Sequence, residues 1–158
     1  MNKDELTRIF KNLGADEPAM WADSQITEGI PQLSRFFFLK GMWDAVVPDH
    51  EKWIDEYERD NEVNECFSGA GIAIRKMIEC GVPKKYITEL CRGVCGELIF
   101  NIAHMIDDPS VIPENDYVNW GLFEIDVNGN PKSLIGGLHE SVLETDPTGR
   151  ECLPREKI

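Results

Sequence analysis

Residues 83–107 read PKKYITELCRGVCGELIFNIAHMID, and this stretch decides the fold. Ile87, Leu90, Cys91, Val94, Leu98, Ile102 and Met105 recur at spacings of three and four, the period of one helix face. Ile99 and Ile106 widen that stripe. The pattern predicts one long helix from Pro83 to about Asp107, serving as the central core helix. Pro83 suits its first turn, where a missing N–H has no helical partner to lose. Asp107-Asp108-Pro109 ends it. Gly93 and Gly96 each cost about 1 kcal/mol relative to alanine inside a helix. Close approach of a neighbouring helix is the expected compensation.

Working outward, Gly81-Val82 precedes that helix and closes another, from Ser68 to Cys80. Ile72, Ala73, Met77 and Ile78 are its predicted inner face. Gly81 suits the left-handed position after a helix, and Val82 the apolar contact that accompanies it. The arrangement predicts two packed antiparallel helices. Further upstream, Asn2 can cap a helix over 2–13, with Glu5 three residues on and Gly14 as the stop. A less regular helix spans 16–30. A fourth runs from Pro31 to about Val46 and carries Phe36-Phe37-Phe38-Leu39. Four consecutive apolar residues point all round a helix, so it is buried on several sides or presents an aromatic patch to a partner. Pro48 to about Glu62 reads as an acidic surface helix, with Trp53, Ile54 and Tyr57 as a narrow apolar stripe.

After Pro109 the grammar changes. Trp120–Asp126 suggests a strand, Val127-Asn128-Gly129-Asn130 a turn, and Lys132–Ile135 the return. Residues 138–145 fit strand or short helix equally. The fold class expected is mainly α: five or six helices with a small C-terminal β-hairpin appendage, α+β being the alternative. One domain suits 158 residues, with a helical core over about 2–108, a hairpin and irregular segment over about 118–150, and a frayed tail over 153–158.

The net charge is −13. Residues 1–66 hold 7 basic and 15 acidic side chains, residues 67–108 hold 5 of each, and residues 109–158 hold 4 and 9. A neutral middle between acidic ends assigns the middle to the core. An acidic field repels phosphate backbones, which argues against nucleic acid and leaves a basic protein partner open. The longest apolar run is Phe36–Leu39, far below the roughly 20 residues of a membrane span. Five cysteines cannot all pair within one chain, and Met1–Glu5 begins no apolar leader. Both observations point to reduced thiols and a cytoplasmic protein.

Two clusters carry candidate chemistry. Residues 49–65 hold eight acids and two bases. Glu51, Trp53, Asp55, Glu56, Tyr57 and Glu58 form the candidate surface for a basic partner, its rings serving as anchors. His104, Asp107 and Asp108 lie at i, i+3 and i+4 at the end of the long helix. On one face, imidazole and carboxylates at that spacing could share a divalent metal, with His50 or His139 joining by folding. The competing structural reading is a histidine complementing the helix C-terminus beside a solvated stop. Cys91 and Cys95, one turn apart on the apolar side, read as packing residues. Leu138-His139-Glu140-Ser141 places His, Glu and Ser side by side, but triads assemble through space. Phosphate-binding glycine motifs, Gly-x-Ser-x-Gly and His-Glu-x-x-His are all absent, which argues against an enzyme. No cofactor is implied. The leading functional expectation is an acidic interaction module of the immunity or antitoxin type. The alternatives are a metal-dependent hydrolase using His104, Asp107 and Asp108, and a homo-oligomeric adaptor pairing through Phe36–Leu39.

Overall fold

A computed structural model describes residues 1–59, 66–113 and 117–156. The chain is mainly α, with a small two-stranded antiparallel hairpin late in the sequence. Its helices are α1 (Lys3–Leu13), α2 (Pro18–Thr27), α3 (Gln32–Asp44), α4 (Ile54–Arg59), α5 (Ser68–Glu79), α6 (Lys84–Asp107) and α7 (Leu138–Ser141). The strands are β1 (Leu122–Ile125) and β2 (Pro131–Ile135). Among the described residues no helix is long and apolar enough to cross a membrane. The chain separates into two compact units. Unit 1 comprises Met1–Ala45 and Leu98–Glu151, and unit 2 comprises Val46–Glu97 and Cys152–Ile158, so the boundary falls inside α6.

In unit 1, α1 begins where the sequence places it: Asn2 Oδ1 accepts from Glu5 N at 2.9 Å, and Gly14 at φ 89° turns the chain out. Leu6, Phe10, Trp21, Ala22 and Phe36 form a core cluster from α1, α2 and α3. Phe10, Trp21 and Phe36 meet pairwise with ring centroids 5.2–5.9 Å apart. The aromatic run on α3 is thus split. Phe36 and Leu39 are core, Phe38 is half-buried, and Phe37 is exposed. The first of the two readings of that run holds, and the patch offered for oligomer contact reduces to Phe37. The hairpin pairs Leu122 with Ile135 and Phe123 with Leu134, then shifts register to pair Ile125 with Pro131. Asp126 closes its loop by accepting from Asn128 N and Asn130 N. Ser34 on α3 donates to the Glu124 carboxylate, and Ile135 is buried, so the hairpin is fastened to the helices. Trp43 Nε1 donates to Val142 O at 2.8 Å, which seats the segment after β2 against α3. That segment is helical over Leu138–Ser141, resolving the ambiguity at 138–145.

In unit 2, Trp53, Ile54, Ile74 and Ile87 form the core, with Val47, Met77, Ile78, Val82 and Cys91 packed against them. The α5–α6 joint is built as its sequence implies. Gly81 takes φ 82°, Val82 N donates to Met77 O at 3.0 Å, and Val82 packs on the cluster. The inner face of α5 is corrected: Ile72 and Ala73 are exposed, while Gly71 and Ile74 are buried. Gly71 sits against α4, where an added Cβ would lie 3.3 Å from Tyr57 O. Leu153–Glu156 were expected to fray. Instead Arg155 reaches Asp49, Glu51 and Glu89, and its charge pins the segment to unit 2.

The buried line of α6 is also not the one its apolar spacing suggests. Ile87, Thr88, Arg92, Gly96, Ile99 and Ala103 are buried, whereas Leu90, Val94 and Leu98 are 55–59% exposed. Two polar side chains displace the apolar stripe because each finds a hydrogen-bond partner there. Thr88 Oγ1 accepts from Trp53 Nε1 at 3.1 Å, and Arg92 Nη1 donates to Val47 O at 2.8 Å. Gly93 is exposed with nothing within 4 Å of an added Cβ, so no helix among the described residues packs closely on it.

Candidate functional site

Unit 1 brings together residues that lie far apart in sequence. Asp107 ends α6, and its side chain is only 6% exposed. Its Oδ2 accepts twice from one residue, from His139 N at 2.8 Å and from His139 Nδ1 at 2.7 Å. Its Oδ1 is buried without a hydrogen-bond partner among the described residues. Leaving such an oxygen unmet costs about 1–3 kcal/mol. His139 enters the site because Gly137, at φ 69°, turns the chain from β2 into α7. A carboxylate can only accept, so in the neutral ring Nδ1 carries the hydrogen and Nε2 the lone pair. The imidazole remains 32% exposed. His104, one turn before Asp107 on α6, stands with its ring centroid 4.7 Å from that of His139, tilted 34°.

Arg35 of α3 closes another side. Its guanidinium lies so near Gly137 that an added Cβ would be 2.5 Å from Nη2 and 2.9 Å from Cζ. The same Cβ would be 3.1 Å from Glu140 Oε2, which places that carboxylate beside the guanidinium. Arg35 Nη1 approaches Ser141 Oγ at 3.5 Å, beyond a strong hydrogen bond. Burial lowers the Arg35 pKa, opposed first by the charge of Glu140 and then by that of Asp107. Arg35 thus offsets the negative charge gathered at this point.

The sequence-derived trio does not converge. Asp107 turns to His139. Asp108 instead caps the following 3-10 turn, its Oδ1 accepting from Ser110 N at 2.9 Å and Ser110 Oγ at 2.7 Å. Those bonds are the main reason its carboxyl lies below the ordinary aspartate range. Among the described residues, no group of three or more His, Cys, Asp or Glu could hold a metal ion. A guanidinium beside Asp107 adds electrostatic opposition to a cation there. His139 does join Asp107, yet sequence signalled it only as part of an undirected His-Glu-Ser run. Arg35 carried no signal at all.

The chain matches no family model, no curated protein and no solved structure.

In unit 2 the acids expected to meet a basic partner are largely engaged within the chain. Lys84 Nζ lies 2.7 Å from Asp55 and 2.6 Å from Glu58. Arg155 lies 2.8 Å from Glu51 and 3.0 Å from Asp49, and Arg92 also approaches Asp49. Trp53 is buried with its indole N–H on Thr88, and Tyr57 packs edge-on against it at 5.5 Å while 39% exposed. Of the six residues, Glu56 alone is an exposed acid without a cation among the described residues. Residues 60–65, which complete the acidic stretch, lie outside those described. Leu90 and Val94, which sequence reasoning assigned to the core, are exposed instead, together with Tyr86. Tyr86, Leu90 and Val94 rise along α6 one turn apart, 54%, 55% and 59% exposed, with Glu97 beside them. Their exposure is invisible in the sequence, because their spacing is the same as that of a buried face.

Proposed function

We propose that this chain is a protein-interaction module of the reducing cytoplasm, whose docking surface is the ridge Tyr86, Leu90 and Val94 on α6. The exposure of all three on one face of a long helix is the observation that carries this reading. Exposed apolar patches on soluble domains mark interaction sites, and an aromatic at one end supplies an anchor. The partner is a basic protein presenting an amphipathic segment. Its apolar side would cover the ridge, and its cations would meet Glu97, Glu56 and the wider −13 field. A second copy of the chain carries the same charge and is repelled, which disfavours the homo-oligomer. The same field disfavours nucleic acid. Five cysteines without a disulfide accord with the compartment.

The test uses the partner captured by the full chain at low salt. Leu90→Asp and Val94→Asp should abolish capture of that protein while leaving thermal unfolding unchanged, since neither side chain packs in a core. Glu56→Lys should slow association and flatten its salt dependence. Retention of the same protein by the Leu90→Asp/Val94→Asp double variant sinks the reading. So does a concentration-dependent dimer by light scattering that the double variant abolishes.

A further inference from the structure

We propose that Asp107 and His139 form a proton-transfer dyad that hydrolyses neutral acyl esters, with water as the nucleophile. Four observations in unit 1 converge on it. His139 is held at two points by one atom, since Asp107 Oδ2 accepts from its ring Nδ1 and from its backbone N. The carboxylate that fixes it is almost wholly buried, while the His139 side chain is about one-third exposed, so part of it meets solvent. The Nδ1 bond leaves the basic lone pair on Nε2, the arrangement a general base requires. Asp107 Oδ1 is buried and has no hydrogen-bond partner among the described residues, although a carboxylate that served only to cap α7 would gain from sharing its bonds between both oxygens.

Water is the nucleophile because, among the described residues, no hydroxyl or thiol hydrogen-bonds to the His139 ring. The ester proposed is a neutral one, because the charges of Glu140, Asp107, Glu144 and Glu28 that act on Arg35 are all negative and disfavour an anionic substrate such as a phosphate ester. In the step, the water oxygen bonds to the acyl carbon as its proton passes to Nε2. The carbonyl electron pair moves to oxygen and then returns, expelling the alkoxide. The proton on Nε2 passes to that leaving oxygen, giving carboxylic acid and alcohol. Asp107 takes no proton and stabilises the transient imidazolium. Arg35 is a positioning residue, offsetting Asp107 and Glu140 so that both acids coexist in the site.

The probe is p-nitrophenyl acetate with the full chain. Wild type should exceed both His139→Gln and equimolar imidazole by about 10²-fold, the lower end of what general acid–base catalysis contributes. His50→Gln, in unit 2, should match wild type. Asp107→Asn should fall with His139→Gln, because an amide in place of the carboxylate favours the other tautomer. Nitrogen NMR of wild type supplies a readout independent of turnover and of how any variant folds: His139 should be in the Nδ1–H form. Wild-type hydrolysis no faster than His139→Gln or imidazole overturns the proposal. An Nε2–H tautomer of His139 does the same.

Discussion

At the residue scale, what the sequence revealed were groups whose partners are near in the chain. Asn2 caps α1 through Glu5 N, and Gly81 ends α5 in the left-handed region, because both jobs are done within four residues. Asp107, His139 and Arg35 are pairs across 32 and more residues, and nothing local announces them. Gly137 measures how tightly that site is built. Any side chain at φ 69° costs about 1–2 kcal/mol, and here a Cβ must also displace the Arg35 guanidinium. Gly14 has a similar φ but open space around it. Gly137→Ala is therefore expected to lower stability in urea unfolding by clearly more than Gly14→Ala; equal losses would mean that Arg35 yields freely. Glu144 gives a pH-dependent counterpart. Burial, then the charges of Glu17, Glu151 and Asp16, raise its carboxyl pKa. A folded pKa above the unfolded one favours the protonated form, so stability is lost as pH rises through the folded value. Glu144→Gln should then be more stable than wild type at neutral pH, the difference vanishing once pH falls below the ordinary glutamate range. A gain that persists in acid would refute the electrostatic cause.

At the element scale, lengths and joints were legible, but faces were not always. The period of residues 83–107 marks one helix, and α6 runs from Lys84 to Asp107. Which side it buries depends on partners elsewhere. Thr88 and Arg92 turn inward because Trp53 and Val47 O meet them, leaving Leu90 and Val94 on the outside. A hydropathy pattern ranks threonine and arginine as outward-facing, so it rotates the helix the wrong way. The bond between two buried groups also makes α6 sensitive at Thr88. Thr88→Val keeps the shape and removes the acceptor, stranding a buried indole N–H at a cost of about 1–3 kcal/mol. Thr88→Ser retains the oxygen and should lose less. Denaturant midpoints for the two variants decide the matter: a valine as stable as the serine would show that the hydrogen bond contributes nothing.

At the scale of the whole molecule, charge that sequence reading assigned to an outward field is partly spent inside unit 2. Residues 49–58 and 152–156 are far apart in the chain, and their attraction was therefore not legible. Arg155 bonds Glu51, and Lys85 bonds Glu156 at 2.9 Å. In each pair the hydrogen bond to the cation is the leading cause that holds the carboxyl below its ordinary range. The Arg155 and Lys85 pKa values are raised in turn. A folded pKa below the unfolded one gives stability that is present above the unfolded value and lost as pH falls through the folded one. Acidification through and below the carboxylate range should therefore release 152–156 from unit 2 before the core cluster of Trp53, Ile54, Ile74 and Ile87 opens. Arg155→Gln should produce the same release at neutral pH, since it removes the cation shared by Asp49, Glu51 and Glu89. Amide hydrogen exchange over 152–156 reads both. Exchange there should quicken in the variant and in acid, with amides around Ile74 and Ile87 unchanged at neutral pH. Protection of 152–156 that survives Arg155→Gln would mean that backbone packing, not charge, holds the segment.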